Sequence, residues 1–276
     1  MKKSAAHPKP RAKKPVKKRP PSKILAAGEP PPFQVLNPRG GGAGLIICDH
    51  SSNLVPRSLK GLGLNTSDLS RHIGWDIGTE DIGRRLSKIL DMPAVLAGYS
   101  RLVVDLNRAP HHCECVPEAS DGTVITANVG ISKQARERRL REIFWPYQKQ
   151  VGRQVDRFVR KKRTPLLLAI HSFTPELNEV KRPWHIAVLW NKQEKIAKRL
   201  IEEIRRKYPG LLVGGNEPYT LKNERFSGST LCRHAEERNL PYVFVEFRQD
   251  LVDTREKAVQ WADMFIIALK PVLEGL

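Results

Sequence analysis

The chain has 276 residues, with 48 Lys and Arg against 29 Asp and Glu, a formal charge of +19, and only four cysteines. The length suits one large α/β domain, or two small ones, with a sizeable core. Four cysteines are too sparse for a disulfide scaffold, and no apolar run approaches the roughly 18 residues of a transmembrane helix.

The charge is unevenly placed. Ten basic residues from Lys2 to Lys23 precede any acidic one, interleaved with Pro8, Pro10, Pro15, Pro20 and Pro21. With almost no large apolar side chain before Ile24, residues 1–32 read as a disordered basic arm that cannot offset its ordering entropy. The arm has no apolar h-region of a secretory signal, so a soluble cytoplasmic protein is the expectation. Residues 33–276 are expected to form one folded domain, entered through the Pro- and Gly-rich stretch "PPPFQVLNPRGGGAG".

Leu45–Cys48 is the first confident strand. Thr79 can cap a helix running to about Asp91, with Glu80 and Asp81 well placed in its first turn. "AVLAG" and "RLVVDL" read as neighbouring strands, and Asn107–Gly130 as a long functional loop. Ser132 to Lys162 is helical in pattern, broken near Trp145–Pro146. Pro165–Ile170 has the continuous apolar character of a central strand. His185–Trp190 is another strand and Gln193–Tyr208 an amphipathic helix. "LLVGG", a helix around Ser229–Arg238, "YVFVEF" and a helix from about Thr254 complete the chain. Strands alternating with helices predict a single α/β domain with a mixed, largely parallel central sheet flanked by helices.

Three buried runs end in ionisable groups: "CDHSSN", "AIHSFTP" and "VFVEFRQD". They supply His50 and Asn53, then His171, then Glu246 with Arg248 and Asp250. Parallel strands bring their carboxyl ends to one rim, so these groups can converge. Two histidines and one oxygen ligand, with a position left for water, is the pattern of a hydrolytic zinc site. A carboxylate such as Glu246, desolvated by its apolar strand, suits the proton shuttle of amide hydrolysis. In "YSRLVVDLNR", Arg101, Asn107 and Arg108 offer donors that can grip a carboxylate, and Asp105 can orient one of them or the metal shell. Surface ion pairs are the plainer reading of Arg101 and Arg108.

The segments "CDHSSNLVP", "RHIGWDIGTEDIGRRL", "YSRLVVDLNR", "SDGTVITAN", "HSFTP", "GNEPY" and "RHAEERNLPYVFVEFRQDL" resemble the N-formylglutamate amidohydrolase family. That family is similar in fold to zinc carboxypeptidases, which take metal ligands from an HxxE motif and a later His. The resemblance implies His50 and His171 as metal ligands, with Asn53 at the place of the Glu ligand. It implies Glu246 as general base and Asn107–Arg108 as the carboxylate-binding pair. Arg101 is assigned to catalysis with Glu246; Arg248, Asp76 and Tyr219 are assigned to substrate binding. A neutral amide is a weaker zinc ligand than a carboxylate, so Asp76, Asp49 and Asp105 stand as replacement carboxylates for Asn53.

"HHCEC" (His111–Cys115) is a rival metal cluster, but no second pair of ligands follows at the spacing a structural zinc needs. The expected activity is hydrolysis of an N-acyl, foremost N-formyl, amino acid with Zn2+ or another divalent metal. Alternatives are another acylated amino acid or short peptide, or a protein whose basic arm binds nucleic acid or anionic surfaces. The expected partner is the small-molecule substrate, with no membrane and no specific nucleic acid; the arm allows salt-sensitive polyanion contact.

Overall fold

A seven-stranded sheet runs through the middle of the molecule, and its inner strands are buried because each apolar run is covered on both faces. The computed structural model describes residues 23–223 and 226–276. The strands and helices are, in chain order, β1 (Phe33–Leu36), β2 (Gly44–Cys48), α1 (Thr66–Ser70), α2 (Thr79–Ile89), β3 (Ala94–Ala97), β4 (Ala119–Ser120), β5 (Thr123–Val124), α3 (Lys133–Arg139), α4 (Trp145–Arg160), β6 (Leu166–Phe173), β7 (Glu176–Leu177), β8 (Val180–Lys181), β9 (Ile186–Leu189), α5 (Glu194–Lys207), β10 (Val213–Gly215), α6 (Thr230–His234), β11 (Tyr242–Arg248) and α7 (Arg255–Glu274). The sheet order is β1-β3-β2-β6-β11-β9-β10, with β4–β5 and β7–β8 as separate hairpins. β3, β2, β6 and β11 are mutually parallel, β1 is antiparallel to β3, and β9 is antiparallel to β11 and parallel to β10. The fold is the expected mixed, largely parallel α/β sheet.

Alternation along the strands divides the core in two. Leu45, Ile47, Leu167, Ala169, Tyr242 and Phe244 pack towards α4. Ile46, Cys48, Leu168, Ile170, Val243 and Val245 pack with buried residues of α2, α5 and α7. Glu246 therefore continues the α4-facing row of Tyr242 and Phe244, and His171 the row of Leu167 and Ala169. None of the described helices is long and apolar enough to cross a membrane.

Three elements differ from expectation. "FQVL", inside the supposed entry loop, forms edge strand β1. "RLVVDL" forms no strand: Leu102, Val103, Val104 and Leu106 are buried, but the Val103 N–H donates to the Ser100 carbonyl (3.0 Å) and the Asp105 N–H to Cys115 (2.7 Å), which curls the segment into turns. The break near Pro146 is a π-helical turn over Leu140–Phe144 that joins α3 to α4; a proline lacking its N–H is tolerated in the first turn of α4.

Of the expected arm, residues 1–22 lie outside the described residues. Residues 23–32 are fastened to the domain. The Ile24 side chain is buried, its N–H donates to Glu142 (2.7 Å), and Tyr99 donates its hydroxyl to the Pro30 carbonyl (2.6 Å). The folded body thus begins upstream of residue 33.

Candidate metal centre and active site

The carboxyl ends of β2, β3, β6 and β11 share one rim, as parallel pairing requires. β2 delivers Asp49 and His50, the loop after β3 delivers Arg101 to Arg108, and β6 and β11 deliver His171 and Glu246. Asp76 arrives from the loop before α2, clipped to the site by its own backbone: the Asp76 N–H donates to the His50 carbonyl (2.8 Å). That loop is pinned on two further sides. Ser100 donates its hydroxyl to Gly74 (2.7 Å) and Ser172 to Ile77 (2.8 Å). Gly78, with φ of 82°, caps α2, and a Cβ there would lie 2.3 Å from the Val252 carbonyl oxygen. Only glycine fits both constraints.

The two imidazoles share one carboxylate oxygen. Asp76 Oδ2 is 3.3 Å from His50 Nδ1 and 2.8 Å from His171 Nδ1. Each imidazole has a second carboxylate behind its other nitrogen: Asp105 Oδ1 stands 2.8 Å from His50 Nε2, and Asp49 Oδ2 stands 3.6 Å from His171 Nε2. Phe244 stacks on His171 at 4.3 Å between ring centroids, which leaves the ring little freedom to turn. Asp49 is itself held by the Thr230 hydroxyl at 2.8 Å.

Burial, reinforced by the charge of Arg101, lowers the His50 pKa to about 4, so its imidazole is neutral as a metal ligand must be. Burial alone would raise Asp105, but the neighbouring His50, Arg108 and Arg101 outweigh it and hold the carboxyl well below its ordinary range. Burial raises Glu246 to about 7 against the opposing charges of His171, Arg101 and Arg182. Glu246 is 5% exposed, and its Oε2 has no hydrogen-bond partner among the described residues. His50, Asp76, Arg101, Arg108, His171 and Glu246 all face one cavity of about 610 Å³.

Within it, His50, Asp76 and His171 each present a ligand atom within 4.8 Å of the others. Two imidazoles and a carboxylate, each imidazole backed by a further carboxylate, form a donor set that fits a catalytic divalent cation.

A sequence model of the N-formylglutamate amidohydrolase family matches residues 43–252. The chain belongs to this family. No curated protein matches its sequence. Among solved structures, gene product Atu2144 from Agrobacterium tumefaciens is 26% identical, with a TM-score of 0.86 over 92% of this chain and 99% of that one. The N-formylglutamate amidohydrolase from Ralstonia eutropha JMP134 is similar in fold, with a TM-score of 0.65 and 15% identity over 87% of this chain and 97% of its own.

Against the expected assignments, this amidohydrolase-family chain brings His50, His171, Glu246, Arg101, Asn107, Arg108, Asp76 and Tyr219 to the cavity wall. Asn53 is not among the lining residues. The segment that carries it is bound sideways: Ser52 donates to the Gly98 carbonyl (3.0 Å) and the Ser100 N–H to that of Leu54 (2.8 Å). Asp76 is the oxygen donor at the imidazoles, and the available signal for it was a carboxylate between two glycines just ahead of a helix. Arg248 is also off the cavity, its guanidinium paired with Asp250 at 2.8 Å and 3.2 Å.

Arg101 pairs with Asp76 Oδ1 and Arg108 with Glu114 at 3.3 Å. Asn107 accepts the Thr230 N–H (3.3 Å). In "HHCEC", the His112 ring accepts the Glu114 N–H (3.1 Å) to cap a short turn, while Cys113 is exposed and Cys115 buried. His234, on α6, turns away from the cavity to Gln148 at 2.9 Å. His72 and Asp121, 3.4 Å apart on the cavity wall, are residues that sequence reasoning passed over.

Proposed function

We propose that the chain is a divalent-metal-dependent amidohydrolase, zinc being the first candidate, that cleaves an N-acyl amino acid and foremost N-formylglutamate. The observation that carries the reading is the convergence of His50 Nδ1 and His171 Nδ1 on Asp76 Oδ2, with the buried Glu246 carboxylate in the same cavity. Family membership supports the amide bond as the target. A divalent cation held by His50, His171 and Asp76 would polarise the acyl carbonyl and acidify a water. Glu246 takes a proton from the attacking water, whose oxygen bonds to the acyl carbon. It returns that proton to the amide nitrogen as the C–N bond breaks, which releases formate and the free amino acid. Arg101 supplies positive charge for the oxygen that becomes anionic. Asn107 and Arg108 grip the substrate carboxylate.

Metal content of the purified protein, followed by amine release from a panel of N-formyl and N-acetyl amino acids, tests this. The expected result is about one bound divalent ion per chain and hydrolysis led by N-formylglutamate. A metal-loaded protein that releases no amine from any member of the panel would overturn it.

A further inference from the structure

A second cavity, of about 540 Å³, shares no lining residue with the active site. Its wall carries Lys23, Lys60, Arg138 and Arg139, and none of the described residues that line it is acidic. Arg139 is 3% exposed. Its Nη1 donates to two neutral oxygens, the Val103 carbonyl (2.9 Å) and the Asn128 side chain (2.7 Å). Burial, with the added charge of Arg136, lowers its pKa to about 10. The group is therefore still a cation at neutral pH, and a buried cation without a counter-charge is costly to keep. Arg138 Nε is buried as well, with no hydrogen-bond partner among the described residues. The acids beside it in the chain are turned elsewhere. Glu142 accepts the Ile24 N–H (2.7 Å) and pairs with Arg141 (3.3 Å), and Glu137 is exposed and off the cavity wall.

The room comes from α3. Ala135 precedes Arg138 by three residues and Arg139 by four, so all three share one side of the helix, and a single methyl group leaves space beside the two guanidinium groups. Another wall is a turn in which Lys60, Gly61 and Leu62 are successively left-handed, with φ of 48°, 65° and 61°. L residues adopt that conformation at a cost. Leu62 is buried and its carbonyl accepts the Ala127 N–H (3.2 Å), which anchors the turn and fixes where Lys60 leaves the backbone. Ile24, Leu59 and Ile131 add apolar surface. Asn128 joins the two cavities from behind: its Nδ2 donates to the carbonyls of Leu102 (2.9 Å) and Pro117 (2.7 Å), both on the active-site wall.

We propose that this cavity binds a phosphorylated small molecule, its phosphate held by Arg138, Arg139 and Lys60 and its organic part by Ile24, Leu59 and Ile131. A phosphate dianion offsets more of the four positive charges than a carboxylate does, and guanidinium forks match its oxygens. The volume lies in the roughly 300–1,000 Å³ range of small-molecule sites, more than a bare ion fills. The inference stands apart from the hydrolytic reading, because none of these residues lines the active site.

Calorimetry on the full chain at fixed ionic strength tests it, with phenyl phosphate, inorganic phosphate and benzoate as probes. Phenyl phosphate should bind once per chain with a Kd at or below about 1 mM, and more tightly than either other probe. Arg138→Gln should weaken it about tenfold or more, as loss of a charge-assisted hydrogen bond does. Ala135→Leu, which fills the cavity and keeps every charge, should weaken it to a similar degree.

Melting temperatures establish that each variant is folded. Wild-type affinity in either folded variant would overturn the inference and place the anion at the active site or on residues 1–22. Benzoate or inorganic phosphate binding as tightly as phenyl phosphate would overturn it too. So would an oligonucleotide that binds while neither phosphate does, which would make the face a polyanion surface. If Ala135→Leu does not fold, the exposed Lys60→Gln takes its place and is read on the same terms.

Discussion

His171 and Glu246 occupy one register position on neighbouring parallel strands, β6 and β11. Paired residues of a parallel ladder project to the same face, so an imidazole of the candidate metal centre and a carboxylate are set side by side by backbone hydrogen bonds rather than by a mobile loop. The spacing of the proposed ligand from the proposed proton carrier is therefore built into the sheet.

Glu246→Gln should keep the fold and the metal, because the carboxylate acts on water. Turnover should fall by roughly 10²- to 10⁴-fold, the usual contribution of general acid–base catalysis. Because burial raises this carboxyl to about 7 and the base works only when ionised, wild-type kcat/KM should decline as pH falls through about 7. A bound cation alongside would favour the ionised form and move the limb lower. Turnover, bound metal and melting temperature on one preparation check this; unimpaired turnover in the variant would remove Glu246 from the mechanism.

Metal binding should discriminate between Asp76 and Asn53. His50→Ala, His171→Ala and Asp76→Ala should each abolish stoichiometric metal, whereas Asn53→Ala should retain it, as expected of a side chain outside the cavity lining. Elemental analysis after dialysis reads the outcome directly.

Asp49→Asn should weaken metal affinity by about 10- to 100-fold, the range found when a carboxylate behind a ligating histidine is lost. Asp49 is 1% exposed, and among the described residues its Oδ2 and His171 Nε2 have no hydrogen-bond partner. Thr230→Val, which releases Asp49 Oδ1, should shift affinity in the same direction by less. Competition against a chromogenic chelator measures both; a folded Asp49→Asn protein with wild-type affinity would refute the orienting role.

His234 should make the domain acid-sensitive. Burial, with the charges of Arg233 and Arg238, lowers its pKa to about 4 from an ordinary 6.5. Between those values the unfolded chain binds the proton and the folded chain does not, so stability is full above pH 6.5 and is lost as pH falls towards 4. The shift is worth on the order of 3 kcal/mol. Denaturant unfolding across pH 4 to 7 should show this slope in wild type and a shallower one in His234→Gln.

The strands that carry the site could be read directly, because "LIIC", "LLLAI" and "YVFVEF" are apolar runs too long and too continuous for a half-exposed surface. Their polar endings pointed to His50, His171 and Glu246 for the same reason: a strand buried on both faces has no other cause to end in ionisable groups. Asp76 was harder, since its position depends on the hydrogen bond from its N–H to the His50 carbonyl and on Ser100 and Ser172 bracing the loop, contacts between segments distant in sequence. "RLVVDL" misled because burial was read as strand, whereas its N–H groups are spent on Ser100 and Cys115.

The shared rim also has a consequence for how the protein is made. His50 comes early in the domain and Glu246 near its end, so a partial chain that already carries His50, Asp76 and His171 still lacks Glu246, and the whole site exists only once β11 has inserted between β6 and β9. Non-local pairing of that kind is slow compared with local helix formation. A cation that binds only the closed sheet would draw the folding equilibrium towards it in proportion to its concentration. Metal supply would then act as a control on how much of the newly synthesised chain survives, quite apart from its part in hydrolysis.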